Sequence, residues 1–125
     1  MPPAGDAPAF PILVVDDNLT VAEVVAATLR DLGAGPVVTA TSVADAVPLL
    51  HTLTPALVIT DIYMPGGSGV EMLAEVHRWS ATTPVIAMSG GMEIHSVEDA
   101  GFFRVLAKPV ARATLAEVLT SLRGA

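Results

Sequence analysis

Leu57-Val58-Ile59-Thr60-Asp61-Ile62-Tyr63-Met64-Pro65-Gly66-Gly67-Ser68-Gly69 is the stretch from which the fold of this 125-residue chain can be read. A short, branched, uniformly apolar run ends in one carboxylate, and a loop of turn-forming residues follows. Such a run fits a strand buried on both faces, where neither side alternates with polar residues. Asp61 then stands where a central strand leaves the core. In open α/β sheets that carboxyl-end edge is where ligands bind.

Working outward, the same pattern recurs. Ile12-Leu13-Val14-Val15 is a second buried run, ending at Asp16-Asp17-Asn18. Residues 36–40 form a short β-branched strand. Val85-Ile86-Ala87-Met88 ends at Ser89-Gly90-Gly91, and residues 102–107 end at Lys108-Pro109. Between them lie helical patterns. Residues 19–32 place Val21, Val24, Val25, Leu29 and Leu32 on one stripe, with Gly33 as the stop. Ser42 caps a run to Leu53, in which Pro48 should kink the helix or delay its start. Residues 69–79 turn Val70, Leu73, Val76 and Met72 inward. Residues 92–100 allow only a short helix before Gly101. Residues 111–122 put Leu115, Val118, Leu119 and Leu122 on one face. Five strands alternating with five helical segments predict a parallel sheet covered on both sides.

Composition bounds the rest. The length suits one domain, and such a chain buries roughly two-thirds of its unfolded surface. Apolar residues make up 52% and charged residues 15%, a globular balance. There is no cysteine, which excludes disulfides and thiolate metal sites. Six Lys+Arg against thirteen Asp+Glu give a net charge of -7, so direct nucleic-acid binding is not expected. No apolar run approaches the roughly 20 residues of a membrane span, and no signal peptide opens the chain. A cytoplasmic domain is expected. Residues 1–10, with prolines at 2, 3 and 8, form a flexible leader, and residues 11–124 form the domain. The fold runs to within a few residues of the C-terminus, so no output domain is expected here.

Four of the five strands thus end in polar residues on one edge: Asp16 and Asp17, Asp61, Ser89 and Lys108. Two adjacent acids could simply cap a helix, but a cap needs one residue and not three. Their better reading is a hard-cation site, since magnesium prefers oxygen ligands. A carboxylate can take up a phosphoryl group covalently. Phosphoryl transfer then needs three equatorial oxygens neutralised. A cation on Asp17 and Asp61 can take one oxygen, the Lys108 ammonium another, and the Ser89 hydroxyl the third. His51, His77 and His95 show no ligand spacing. Met64, Met72, Met88 and Met92 read as core fillers.

The ordered set Val15-Asp16-Asp17-Asn18, Ile59-Thr60-Asp61-Ile62-Tyr63-Met64-Pro65 with Ser68-Gly69, Val85-Ile86-Ala87-Met88-Ser89-Gly90 and Ala107-Lys108-Pro109 resembles the receiver domain of two-component response regulators. The resemblance covers everything after the leader. It implies an α/β fold with a doubly wound five-stranded parallel sheet of order 2-1-3-4-5, flavodoxin-like and CheY-like. It also implies that Asp61 is the phosphoacceptor, loaded from a histidine kinase or histidine phosphotransferase. Asp16, Asp17, Asp61 and the Tyr63 backbone carbonyl would hold Mg2+, Ser89 would be the switch hydroxyl, and Lys108 would bind the phosphate. Signalling to a downstream protein would follow a shift of a two-state equilibrium on the face of the fourth helix, fifth strand and fifth helix. The domain would catalyse only its own phosphorylation and dephosphorylation.

Three departures stand out. The family often carries Tyr or Phe three residues before the lysine, where this chain has Val105, with Phe102 and Phe103 nearby. The fourth helix is short, and Pro48 interrupts the second. The alternative is a phosphorylation-independent interaction module of the same fold; intact Asp17, Asp61, Ser89 and Lys108 argue against it. A phosphohydrolase would want an acid at position 63, which is Tyr, and no glycine-rich turn follows the first strand as a dinucleotide fold requires.

Overall fold

The computed structural model describes residues 9–90 and 100–123. Strands β1 (Ile12–Val15), β2 (Val37–Ala40), β3 (Leu57–Asp61), β6 (Val85–Ser89) and β7 (Arg104–Ala107) form one sheet of order β2-β1-β3-β6-β7. Every pairing in it is parallel. This is the doubly wound order that the resemblance implied, with β1 and β3 central and apolar on both faces. Alternation along β1 divides the core. Ile12 and Val14 face a cluster with Leu29, Ile86 and Leu115, while Leu13 and Val15 face one with Leu50, Met72 and Val76.

Helices α1 (Leu19–Asp31) and α4 (Arg112–Arg123) cover the first face; α2 (Val43–Leu53) and α3 (Gly69–Trp79) cover the second. Each of the first three begins at a polar cap, of which Ser42 was expected from the sequence. Asn18 accepts from the Val21 amide at 3.2 Å, Ser42 from Asp45 at 3.0 Å and Ser68 from Glu71 at 3.2 Å. No described helix is long and apolar enough to cross a membrane.

The structure corrects several details. The buried stripe of α1 is Ala22, Val25, Ala26 and Leu29, whereas Val24 is 61% exposed and Val21 half-buried. The alanines define the inward direction because they let the helix lie close to the sheet. In α3 the buried residues are Gly69, Met72, Leu73 and Val76, and Val70 is exposed. Pro48 does not delay α2, which starts at Val43. Its missing N–H would have reached the carbonyl of Ala44, which is exposed and open to water. The second strand starts at Val37, since Pro36 has no N–H for the ladder. The fifth starts at Arg104, leaving Phe102 and Phe103 outside it.

The loop after β3 is a two-residue antiparallel hairpin, β4 (Tyr63–Met64) and β5 (Gly67–Ser68). Met64, Met72 and Met88 are buried as core fillers. His51 is exposed and His77 half-buried. The short helix over residues 92–100, with Met92 and His95, lies outside the described residues except for Ala100. So do residues 1–8 of the leader.

Candidate functional site

Parallel register brings the strand ends to one edge. β1 and β3 pair Val15 with Thr60, β3 and β6 pair Asp61 with Met88, and β6 and β7 pair Ser89 with Ala107. Asp16, Asp17, Asp61, Ser89 and Lys108 are therefore all the last residue of a strand or lie just past one.

Lys108 is the hub. Its Nζ lies 2.8 Å from Asp16 Oδ2 and 3.2 Å from Asp61 Oδ1. Its backbone N–H donates to the Ser89 carbonyl at 2.7 Å, which ties the β7 end to the β6 end. Lys108 precedes a cis peptide to Pro109. Asp16 is fully buried, and its Oδ1 accepts from the Asn18 amide at 2.9 Å. Burial of a charge is tolerable here because both oxygens are partnered. Asp17 is exposed, one residue further along. Asn18 supplies the α1 cap, so neither acid is needed for capping.

Asp61 keeps 13% of its side chain exposed. Its Oδ1 also accepts from the Ile62 amide at 2.9 Å, and that same N–H reaches the Met88 carbonyl at 3.1 Å. Burial pushes the Asp61 carboxyl above its usual value and the Asp16 charge adds to the rise, while Lys108 and the Ile62 amide oppose it. Burial would lower Lys108, but its hydrogen bonds and charge attraction to Asp16 and Asp61 outweigh this and raise it. Ser89 is buried beside the site. The Tyr63 side chain is 63% exposed, two residues past Asp61 on the solvent side of the hairpin.

One carboxylate oxygen from each of Asp16, Asp17 and Asp61 can be chosen so that the three lie within 4.8 Å of one another. Three carboxylates faced by one ammonium leave the edge negative, and the donors are all oxygen. That set suits a hard divalent cation such as Mg2+ and fits poorly with softer metals.

Two supporting contacts had no role in the sequence reading. Gly69 opens α3 against the end of β3: a Cβ there would lie 2.6 Å from the Asp61 carbonyl and 3.0 Å from Ile62 Cα. Its N–H donates to the Ile62 carbonyl at 2.6 Å. The Thr60 hydroxyl, fully buried, donates to the Asp61 carbonyl at 3.0 Å. The signal for the first is the small residue directly after a helix cap; nothing in the sequence signals the second.

Comparison with known proteins agrees with this geometry. Residues 12–120 match the family described as response regulator receiver domain. The chain is 28% identical over 116 residues to the transcriptional regulatory protein DpiA of Escherichia coli K12, covering 90% of this chain and 51% of that one. It thus spans about half the length of this curated relative. The crystal structure of a response regulator receiver domain protein from Clostridium thermocellum superposes with a TM-score of 0.84 at 27% identity, covering 92% of this chain and 94% of that one. The chemotaxis protein CheY4 of Vibrio cholerae superposes with a TM-score of 0.82 at 25% identity, covering 91% and 98%.

Proposed function

Because the chain belongs to the response regulator receiver domain family, we propose that it accepts a phosphoryl group on Asp61 in a Mg2+-dependent phosphorelay. The donor is a histidine kinase or a histidine phosphotransferase, and the loaded domain signals to a downstream protein. The observation that carries this reading is the Lys108 ammonium held between a buried Asp16 and a partly open Asp61.

In the transfer, an Asp61 carboxylate oxygen forms the new bond to phosphorus while the phosphorus–nitrogen bond of the phosphohistidine breaks. The imidazole nitrogen leaves with the electron pair. Lys108 is already within ion-pair distance of the nucleophile and neutralises charge on the phosphoryl oxygens as a positioned cation. The Ser89 hydroxyl, at the end of the neighbouring strand, donates to another oxygen. Asp16, Asp17, Asp61 and the Tyr63 carbonyl would hold Mg2+, which supplies further charge neutralisation when bound. The Asn18 amide orients the buried Asp16 carboxylate, and the Ile62 amide orients the partly open Asp61 carboxylate.

Apolar surface beside the site favours a protein donor over a small molecule alone. Leu19 and Val24 are exposed on α1, next to a groove of about 420 Å3 lined by Thr20, Val21, Lys108, Pro109 and Val110. The receiver domain is residues 11–124, with residues 1–10 as leader, and its setting is the cytoplasm.

The test is an intact-mass spectrum after incubation with Mg2+ and acetyl phosphate, for wild type and Asp61→Asn. Wild type gains one phosphoryl group and the variant none. If neither gains mass and Mg2+ with beryllofluoride also leaves the Ile62 amide resonance unmoved, the domain is a phosphorylation-independent interaction module.

A further inference from the structure

Thr60 is the one polar residue of β3 before its terminal Asp61, and it is fully buried. A β-branched side chain suits a strand, but a valine would suit this one equally, with no hydroxyl to take out of water. The hydroxyl instead has a specific partner, the Asp61 carbonyl at 3.0 Å, to which it donates.

That carbonyl belongs to the peptide unit joining Asp61 to Ile62. A trans peptide is planar, and its C=O and N–H point opposite ways. On the far side of this unit the Ile62 N–H donates to Asp61 Oδ1 at 2.9 Å and to the Met88 carbonyl at 3.1 Å. The plane is thus held at both ends, by Thr60 at the carbonyl and by the carboxylate and β6 at the amide. Pairing of β1 with β3 ends at Val15 and Thr60, one residue before this carbonyl. Gly69 leaves room for the same carbonyl, since a Cβ there would lie 2.6 Å from it.

The orientation of this plane governs the acceptor. Asp61 Oδ1 is held by the Lys108 ammonium at 3.2 Å and by the Ile62 amide. The last torsion of an aspartate has no sharp preference of its own, so these two partners set the rotation of the carboxylate. Lys108 is a point charge on a flexible stem and restrains direction poorly. The amide is a directional donor, and a turn of the peptide plane would swing it off Oδ1.

We propose that Thr60 is a positioning residue for phosphoryl transfer: its hydroxyl holds the Asp61–Ile62 peptide plane so that the Ile62 amide fixes the Asp61 carboxylate in its reactive orientation. This rests on Asp61 being the phosphoacceptor. Thr60, being fully buried, makes no contact of its own with the cation or the phosphoryl group and acts through the peptide unit. Orientation counts heavily here, because phosphoryl transfer is catalysed mainly by positioning and charge neutralisation.

The test uses the full chain as wild type, T60V and T60S, each incubated with saturating Mg2+ and acetyl phosphate and followed by intact mass against time. T60V should be slowed about tenfold, the rate equivalent of roughly one hydrogen bond. T60S restores the hydroxyl and should recover most of the rate. In 1H–15N spectra the Ile62 amide should shift in T60V and return in T60S, while urea denaturation checks that every form is folded in the assay. A T60V rate within about twofold of wild type overturns the inference and leaves Asp61 as the acceptor. A T60S form as slow as T60V does the same, because it places the effect in the methyl group. Wild type that neither gains mass nor shifts its Ile62 amide with Mg2+ and beryllofluoride overturns the acceptor reading and the inference with it. If wild type shifts that amide but holds too little phosphoryl group to follow, the beryllofluoride titration replaces the rate, and T60V should need about tenfold more. One measurement needs no variant. In equal H2O and D2O a hydrogen-bonded hydroxyl exchanges slowly and splits the Thr60 13Cβ signal in two. A single averaged line overturns the inference even if T60V does not fold.

Discussion

At the carboxyl end of the sheet, Asp16, Asp61 and Lys108 converge from three strands, and two carboxylates share one ammonium. At the amino end of the same sheet the closures are neutral. The Phe10 and Gly35 backbones exchange hydrogen bonds at 2.9 and 3.2 Å, and the Ala56 amide donates to the Pro11 carbonyl at 2.8 Å. There the Arg123 guanidinium sits 5.4 Å from the Phe10 ring centroid, over a groove of about 660 Å3 lined by Leu32, Leu119 and Leu122. The amino end satisfies its polar groups with backbone partners, which need no buried charge. The carboxyl end holds two carboxylates close together, and the Asp61 carboxyl is raised first by burial and then by the Asp16 charge. One end of a single sheet is built for stability and the other for chemistry.

Replacing the hub should break this contrast most severely. Lys108→Met leaves Asp16 buried without its cation, and stability should fall by about 3 kcal/mol in urea denaturation. Added Mg2+ should recover part of the loss, since a ligand that binds only the folded state stabilises it. A loss under about 1 kcal/mol would mean that Asp16 does not depend on Lys108. Gly69→Ala drives a Cβ into the Asp61 carbonyl, backbone against backbone, and should cost about 2 kcal/mol with loss of phosphorylation by intact mass. Unchanged stability there would show that α3 can slide away without disturbing the site.

A smaller effect sharpens the comparison through pH. Folded Asp61 keeps its proton to a higher pH than the unfolded carboxyl, whose value is 3.8. The folded state therefore binds more protons in that window, and stability falls as pH rises from 3.8 through the raised folded value. Asp61→Asn lacks this loss. Its stability should improve relative to wild type as pH rises from 3.8 through the raised folded value, and a constant difference would contradict the shift. Lys108 has the same sense at higher pH: the stability from its ion pairs is complete below 10.5 and is lost as pH rises through its raised folded value. The smallest expected effect lies at the amino end. Arg123→Ala should cost about 0.5 to 1 kcal/mol and leave phosphorylation unchanged. Reduced phosphorylation in that variant would show that the two ends are coupled.

The sequence by itself determined the sheet and the edge. Leu57-Val58-Ile59 and Ile12-Leu13-Val14-Val15 are apolar at every position, which only a strand covered on both sides requires. Parallel pairing then forces Asp16, Asp17, Asp61, Ser89 and Lys108 to one end, whatever the packing details. The cap at Ser42 was equally legible, because a cap depends on residues within three positions of it.

The tertiary structure alone decided what depends on distant neighbours. Asp16 and Asp17 are chemically identical and adjacent, yet one is buried against Lys108, 92 positions away, and the other meets solvent. The inward direction of α1 runs through Ala22 and Ala26 rather than Val24, since closeness to the sheet, not side-chain size, sets which stripe is buried. Gly69 reads only as the start of a helix until the Asp61 carbonyl is seen at its Cβ position. The small cluster of Ile62 and Ala87 is covered by Phe102, outside the strand, together with Val105 within it. Strand and cap signals are local and survive in one dimension; choices between adjacent, similar residues are made by contacts that only folding brings together.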